Sequence, residues 1–221
     1  NKENIYVLDS PILTNSQFKK FKKFFSKKIK IIDCTFDIKS SLKDRIEAIR
    51  EETETAVREG ISSLILSDKN ISNQKASIPS ILTVGAVHSH LVKHGLRGYC
   101  SLNVECSDAL DTHSFAVLIG VGATTVNPYL AIDSIYQRFE KKLFGKSDFE
   151  SCVSKFKKSI DSGLLKIMSK MGISVISSSR GGCNFEAVGV SRAIVSDYCS
   201  GMSSGSSGIG IIGIEKKIKE L

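Results

Sequence analysis

Short apolar runs alternate with helical patterns along this chain at intervals of roughly 30–35 residues, and that rhythm limits the fold more than any other feature. The runs are Ile29-Lys30-Ile31-Ile32-Asp33-Cys34-Thr35-Phe36, Ser63-Leu64-Ile65-Leu66-Ser67, Cys100-Ser101-Leu102-Asn103-Val104-Glu105 and Thr124-Thr125-Val126. β-branched residues dominate them, which fits strands buried in a sheet. Between the first two runs, Ser40 or Ser41 caps a helix reaching about Glu59, with Ile46, Ile49, Thr53, Ala56 and Val57 on its inner face and Gly60 as its stop. Residues 68–75 are a polar loop. Pro79 starts the next helix, where its missing N–H costs nothing; Leu82, Ala86, Val87 and Leu91 face inward and Gly95 ends it. Helices follow at 112–122 and 128–144. Strand, helix, strand, helix is the pattern of a parallel sheet, and nearly continuous apolar strands fit a sheet covered on both faces. A doubly wound sheet and a (β/α) barrel both fit, although four or five units fall short of the eight of a closed barrel.

Past Gly145 the pattern changes. A helix is expected over 149–171, a strand at Ile173-Ser174-Val175-Ile176, a short helix at Phe185-Glu186-Ala187-Val188 and one more capped by Ser191. Residues 200–213 hold mostly glycine and serine and read as loop, with a charged helix opening near Ile214. The expected division is a main βα part over 1–144, a closing helix–strand–helix part of the same domain over 145–199, and a loop leading toward a next domain over 200–221.

Hydrophobic residues make up 41% of the chain, enough for a core. The net charge of +8 is uneven: Lys19, Lys20, Lys22, Lys23, Lys27, Lys28 and Lys30 cluster among Phe18, Phe21, Phe24 and Phe25. Lysines with aromatics can bind nucleic acid by phosphate contact and stacking. Yet the phenylalanines fall at i, i+3, i+6 and i+7, so a solvated amphipathic helix is the expectation. Six cysteines without a C-x-x-C pair point to a reducing compartment. No run of eighteen apolar residues spans a membrane. A start at Asn1, without methionine, reads as a piece cut from running sequence or a processed chain.

Candidate chemistry is thin. His88, His90 and His94 share a helix, and His90 with His94 has the i, i+4 spacing of metal ligands, but no carboxylate lies beside them to complete a site. Cys100 and Cys106 lack the further cysteines that an iron–sulfur cluster needs. Gly120-Val121-Gly122-Ala123 follows a helix where a dinucleotide fingerprint follows a strand, so it reads as a helix stop. Arg180, Gly181 and Gly182, read as a turn from strand to helix, are a weak candidate for holding a phosphate, with a tight turn as the plainer role. Cys34, His113 and Asp111 form a nucleophile set only on paper. The residues themselves nominate no catalytic, cofactor or metal site.

One stretch carries a name. Gly163-Leu164-Leu165-Lys166-Ile167-Met168-Ser169-Lys170-Met171-Gly172-Ile173-Ser174 closely resembles a segment of the glutamate synthase large chain, where G-L-L-K-V-M-S-K-M-G-I-S-T is usual. Leu64-Ile65-Leu66-Ser67-Asp68-Lys69, the run from Ile78 to Leu91, Val104-Glu105 with the run from Thr112 to Ala116, and the run from Gly120 to Ala131 resemble further blocks of the same family. The resemblance implies the central domain, an incomplete (β/α) barrel related to the FMN-binding barrel and lying between the glutaminase and FMN synthase domains. It implies a parent enzyme in the cytoplasm or an organelle. That enzyme forms glutamate from glutamine and 2-oxoglutarate with NAD(P)H or ferredoxin as donor, using FMN and an iron–sulfur cluster held elsewhere. Neither the N-terminal cysteine nor the C-x5-C-x4-C motif of that family occurs here, so no catalytic residue carries over. The chain departs from the family at Ser89 and Ser114, usually histidines, Ser107, usually glycine, Val121, usually tyrosine, at Gly182-Cys183-Asn184, and at Ser206-Ser207, where an arginine is lost.

Overall fold

The computed structural model describes residues 5–182, 184–205 and 207–221; the departures at Cys183 and Ser206, like Asn1, lie outside them. In chain order the elements are α1 (Asn15–Phe24), β1 (Ile29–Asp33), β2 (Thr35–Asp37), α2 (Leu42–Arg58), β3 (Ser63–Ser67), β4 (Lys75–Ser77), α3 (Ser80–Lys93), β5 (Ser101–Glu105), α4 (Thr112–Gly120), β6 (Thr125–Asn127), α5 (Tyr129–Glu140), α6 (Phe149–Lys170), β7 (Glu186–Ala187), α7 (Arg192–Tyr198), β8 (Ser203–Ser204) and α8 (Ile211–Lys219). The main sheet is parallel with strand order β1-β3-β5-β6. That order never reverses, whereas a doubly wound sheet must reverse once. The domain is therefore singly wound, the arrangement of a barrel left open. The segment before α1 runs beside β6, with Val126 N–H donating to Pro11 O at 2.8 Å and Leu13 N–H to Val126 O at 2.9 Å, so this edge is partly covered.

The two faces of the sheet differ because side chains alternate along a strand. Ile32, Leu64, Leu66, Leu102, Val104 and Val126 point to one side and join Ile46, Ile49, Leu82, Val87, Phe115 and Leu118 of α2, α3 and α4 in the main core. The other face carries Ser63, Ile65, Ser67, Ser101, Asn103, Glu105, Thr125 and Asn127, all buried except half-buried Ser101. Here α1 is the cover: Phe18 and Phe21, with Leu13, form a second core on Ile65. The polar groups beneath it bond one another, as burial requires. Asn103 Nδ2 donates to Leu64 O at 3.1 Å and Thr125 Oγ1 donates to Asn103 Oδ1 at 2.8 Å.

Local chemistry explains the helix starts. Ser41 accepts from Asp44 N–H, Asp111 from Ser114 N–H, Asp148 from Ser151 N–H and Ser191 from Ile194 N–H. Thr14 and Gln17 close a capping box on α1. Every inner-face residue expected of α2 is buried, and Gly60 follows it at φ +94°.

Four expectations need correction. The run from Ile29 to Phe36 is two strands. Asp33 Oδ1 accepts from Thr35 N–H at 2.9 Å and Thr35 Oγ1 at 2.6 Å, a side-chain turn that swings residues 35–37 out to pair antiparallel with β4. Ile173-Ser174-Val175-Ile176 is not a strand; a 3-10 turn spans Ile176–Ser179 and Val175 is exposed, because the serines that follow favour turns over a ladder. Phe185-Glu186-Ala187-Val188 is extended, since four residues cannot nucleate a helix unaided, and Glu186–Ala187 pairs parallel with Ser203–Ser204. The tail is thus not all loop: it holds β8, a bridge from Ile209 to Val190, and α8 from Ile211.

Candidate functional site

In parallel βα folds, chemistry gathers where the strands end at their carboxyl side. Here that rim carries Asp33 at the end of β1, Ser67 at the end of β3 with Asp68 next to it, Glu105 at the end of β5 and Asn127 at the end of β6. Asp68 is only 2% exposed. Its Oδ2 accepts from Ser107 N–H at 3.0 Å, Ser107 Oγ at 2.6 Å and Ser77 Oγ at 3.1 Å, and its Oδ1 accepts from Tyr129 OH at 2.7 Å. Burial and then the Asp68 carboxylate push the Tyr129 phenol above its usual range. Glu105, also buried, accepts from Ser67 Oγ at 2.7 Å and meets Lys22 at 3.3 Å and Lys69 at 3.2 Å. Asn127 Nδ2 donates to Leu13 O and Asn15 Oδ1. Burial alone would raise Asp33, but hydrogen bonds from Thr35 and Asn70, with the charge of Lys75, hold it below the usual carboxylate range.

A general base needs a lone pair turned toward a substrate. The rim carboxylates spend theirs on donors of this chain, and Lys22 of α1 and Tyr129 of α5 reach over the end where a barrel enzyme seats its ligand. The rim is built as a polar plug. Ser107, where the resemblance sets glycine, adds a hydroxyl to it. Three other departures also have local roles: Ser89 Oγ donates to Gly85 O, Ser114 Oγ donates to Asp111, and Val121 is buried in the core.

The sequence candidates scatter. Cys100 and Cys106 flank β5, so five strand residues at about 3.3 Å each hold their thiols too far apart for one cluster. Cys34 Sγ donates to Ile32 O, Asp111 caps α4, and His113 packs edge-on against Phe185, so each has its own partner. Burial pushes the thiols of Cys34 and Cys106 far up, which keeps them neutral. Gly120 ends α4, and Gly122 sits at φ +130° against the His88 ring. The Arg180-Gly181-Gly182 turn neither follows a strand nor opens a helix, and Gly181 N–H donates to Gly120 O at 2.8 Å. His90 and His94 do have a carboxylate beside them, contrary to the sequence expectation: Glu54 of α2 lies 2.7 Å from His90 Nε2. Of the phenylalanines that base stacking would need, Phe18 and Phe21 are buried in the second core and Phe25 packs against it, while Phe24 is exposed.

His88 titrates within a pH range that stability measurements can reach. Burial, then the charge of Arg97, pushes it down to about 4. Arg97 Nε–H donates to His88 Nδ1 at 3.0 Å, so that nitrogen must stay unprotonated to keep the bond. The unfolded histidine titrates near 6.5. Between these values only the unfolded chain takes the proton, so stability is full above about pH 6.5 and falls as the pH drops toward 4. Thermal melts from pH 7 to 5 should show a loss of about 1 kcal/mol from this ring once the water that it still meets is allowed for. His88→Gln should flatten that slope; an unchanged slope would show that His88 is not its source.

An open, singly wound βα domain with its ligand end filled by its own side chains is the class that these features define. A family model described as glutamate synthase central domain matches residues 1–191. The NADPH glutamate synthase large chain of Azospirillum brasilense is 51% identical over 216 residues, which is 96% of this chain and 14% of that one. The corresponding chain of Bacillus subtilis is 42% identical over 91% of this chain and 13% of its own. The ferredoxin-dependent glutamate synthase of Pyropia yezoensis is 35% identical over 93% and 14%. The chain belongs to the glutamate synthase central domain family, and it spans about one seventh of the length of these relatives. A flavocytochrome b2 mutant structure aligns over 75% of this chain and 36% of its own at 15% identity, with a TM-score of 0.49, below the level that decides a fold. Among the described residues, no helix is long and apolar enough to cross a membrane.

Proposed function

We propose that this domain is a non-catalytic spacer in a glutamate synthase, holding a glutaminase domain and an FMN synthase domain of the same chain in register. The parent enzyme forms glutamate from glutamine and 2-oxoglutarate, and its FMN and iron–sulfur cluster are bound outside these residues. The plugged rim is the observation that carries this reading, because Asp68 and Glu105 stand where a barrel enzyme works and are committed to partners within the domain. Uncovered apolar surface supports it. A groove of about 370 Å³ is lined by Pro79, Ile81, Leu82, Val117, Val190 and Ile214, and Val7, Val188 and Ile212 stand at least 78% exposed. Surface of this kind marks a contact face, which the other domains of a chain seven times longer would cover.

A second reading has one observation in its favour. Arg180 Nε is buried and has no hydrogen-bond partner among the described residues, as a phosphate-binding arginine awaiting its ligand would be. Titrating this chain with FMN and with inorganic phosphate separates the two. The spacer reading expects no saturable binding of either up to about 1 mM, and no turnover of glutamine or 2-oxoglutarate. Flavin binding would overturn it. Phosphate binding lost in Arg180→Gln would favour the second reading.

A further inference from the structure

We infer that Glu54, His90 and His94 form a binding site for a divalent transition-metal ion of the zinc class, clipping α2 to α3. The three offer ligand atoms that all lie within 4.8 Å of one another. His90 and His94 are one turn apart on α3, with ring centroids 4.3 Å apart. Glu54 comes from the neighbouring helix, its Oε2 at 2.7 Å from His90 Nε2 and 4.0 Å from His94 Nε2. Two ligands on one tetrahedral zinc ion stand about 3.4 Å apart, since zinc–nitrogen and zinc–oxygen bonds are each near 2.1 Å. Side-chain adjustments of about 1–1.5 Å therefore seat the ion.

The groups around the three residues aim them. A carbonyl can only accept, so the 2.8 Å contact of His94 Nδ1 with His90 O places the proton on Nδ1 and, in the neutral ring, a lone pair on Nε2. That lone pair and a carboxylate oxygen are both acceptors, and they share one small space. Arg58 Nε donates to Glu54 Oε1 at 2.8 Å, which leaves Oε2 for the histidines. A carbonyl behind one histidine and an arginine behind the carboxylate are the outer contacts that orient metal ligands. Two imidazoles and one carboxylate suit zinc, copper or nickel, whereas calcium and magnesium take oxygen ligands. Exposures of 17%, 23% and 34% for His90, Glu54 and His94 leave an entry path and a fourth position for water. A plain His90–Glu54 hydrogen bond would tie the helices without an ion, but it gives His94 no task.

The site is independent of the spacer role. Its test uses the full-length protein that carries this domain, stripped with chelator and dialysed against zinc chloride, with zinc counted apart from iron. Wild type should hold about one zinc ion more per chain than His94→Gln or Glu54→Gln. The affinity lost in those variants should exceed about 100-fold, and Arg58→Gln should lose about 10-fold. Zinc should slow amide exchange in α2 and α3 of wild type and leave the variants unchanged. Equal exchange of all forms in chelator shows the variants folded; if either ligand variant fails that control, Arg58→Gln and the exchange of wild type with and without zinc decide. Equal zinc in wild type and the folded variants, or no effect of zinc on α2 and α3 of wild type, would overturn the site.

Discussion

Alanine at Asp68 should lower the free energy of unfolding by about 3 kcal/mol, because several neutral donors lose one buried carboxylate acceptor together. The carboxylate is reached by four donors from β4, the turn after β5 and the start of α5. Removing it leaves those donors, carried by half-buried residues, without their acceptor, at about 1–3 kcal/mol for each group left unsatisfied. Asp68→Asn should recover about half of the loss. Its carbonyl can take the place of Oδ2, and its amide can face Tyr129, whose hydroxyl can turn from donor to acceptor. Urea unfolding gives the answer as a lower midpoint at constant slope. An alanine variant with the wild-type midpoint would refute the plug. Asparagine also separates structure from chemistry. In the full-length protein it should leave turnover within a few-fold of wild type, because an orienting contact rather than a proton carrier is altered.

How far such a network could be read from the sequence depended on the range of the interactions involved. The helices were legible because their periodicity repeats over seven or more residues and their caps sit next to them. Ser41 and Gly60 bracket α2, and Ile46, Ile49, Thr53, Ala56 and Val57 are its buried face. The break at Cys34 was not, although Asp33 and Thr35 were in view, because an apolar run says nothing of a side chain folding back on its own backbone. The pairing of β7 with β8 joins two-residue parallel strands from either side of α7, too short to leave a pattern. The serines, Asn103 and Glu105 alternate visibly with Leu64, Leu66, Leu102 and Val104, yet their meaning depended on α1 lying over them. Glu54 was the hardest. It lies on α2, His90 and His94 lie on α3, and only the packing of the two helices brings them together. Asp68 falls between these cases: its place at a strand end was plain, while its four donors arrive from positions 9, 39 and 61 residues away.

Alanine at Gly85 should destabilise the domain by about 2–3 kcal/mol, the cost of an extra carbon forced into a packed interior, against the usual gain for replacing a helical glycine. Gly85 lies inside α3, where alanine would favour the helix itself by about 1 kcal/mol. The neighbour decides the sign. A Cβ at this position would stand 2.3 Å from the Tyr198 carbonyl oxygen and 3.0 Å from Cys199 Sγ. The oxygen belongs to backbone at the end of α7, so it cannot swing aside as a side-chain tip can. Arg50 reinforces the contact, donating to Ala86 O on α3 and to Asp197 O on α7, with its guanidinium 4.8 Å from the Tyr198 ring centroid. The strain should therefore appear first as loosening of α7 against α3. Amide exchange over Arg192–Tyr198 should rise more than exchange in β3 or β5, whose strands lie deep in the sheet. Gly98→Ala is the matched control, because nothing lies within 4 Å of its added carbon. If Gly85→Ala proves as stable as wild type, α7 is free to move outward, and the packing of the closing segment on the βα core is looser than its contacts imply.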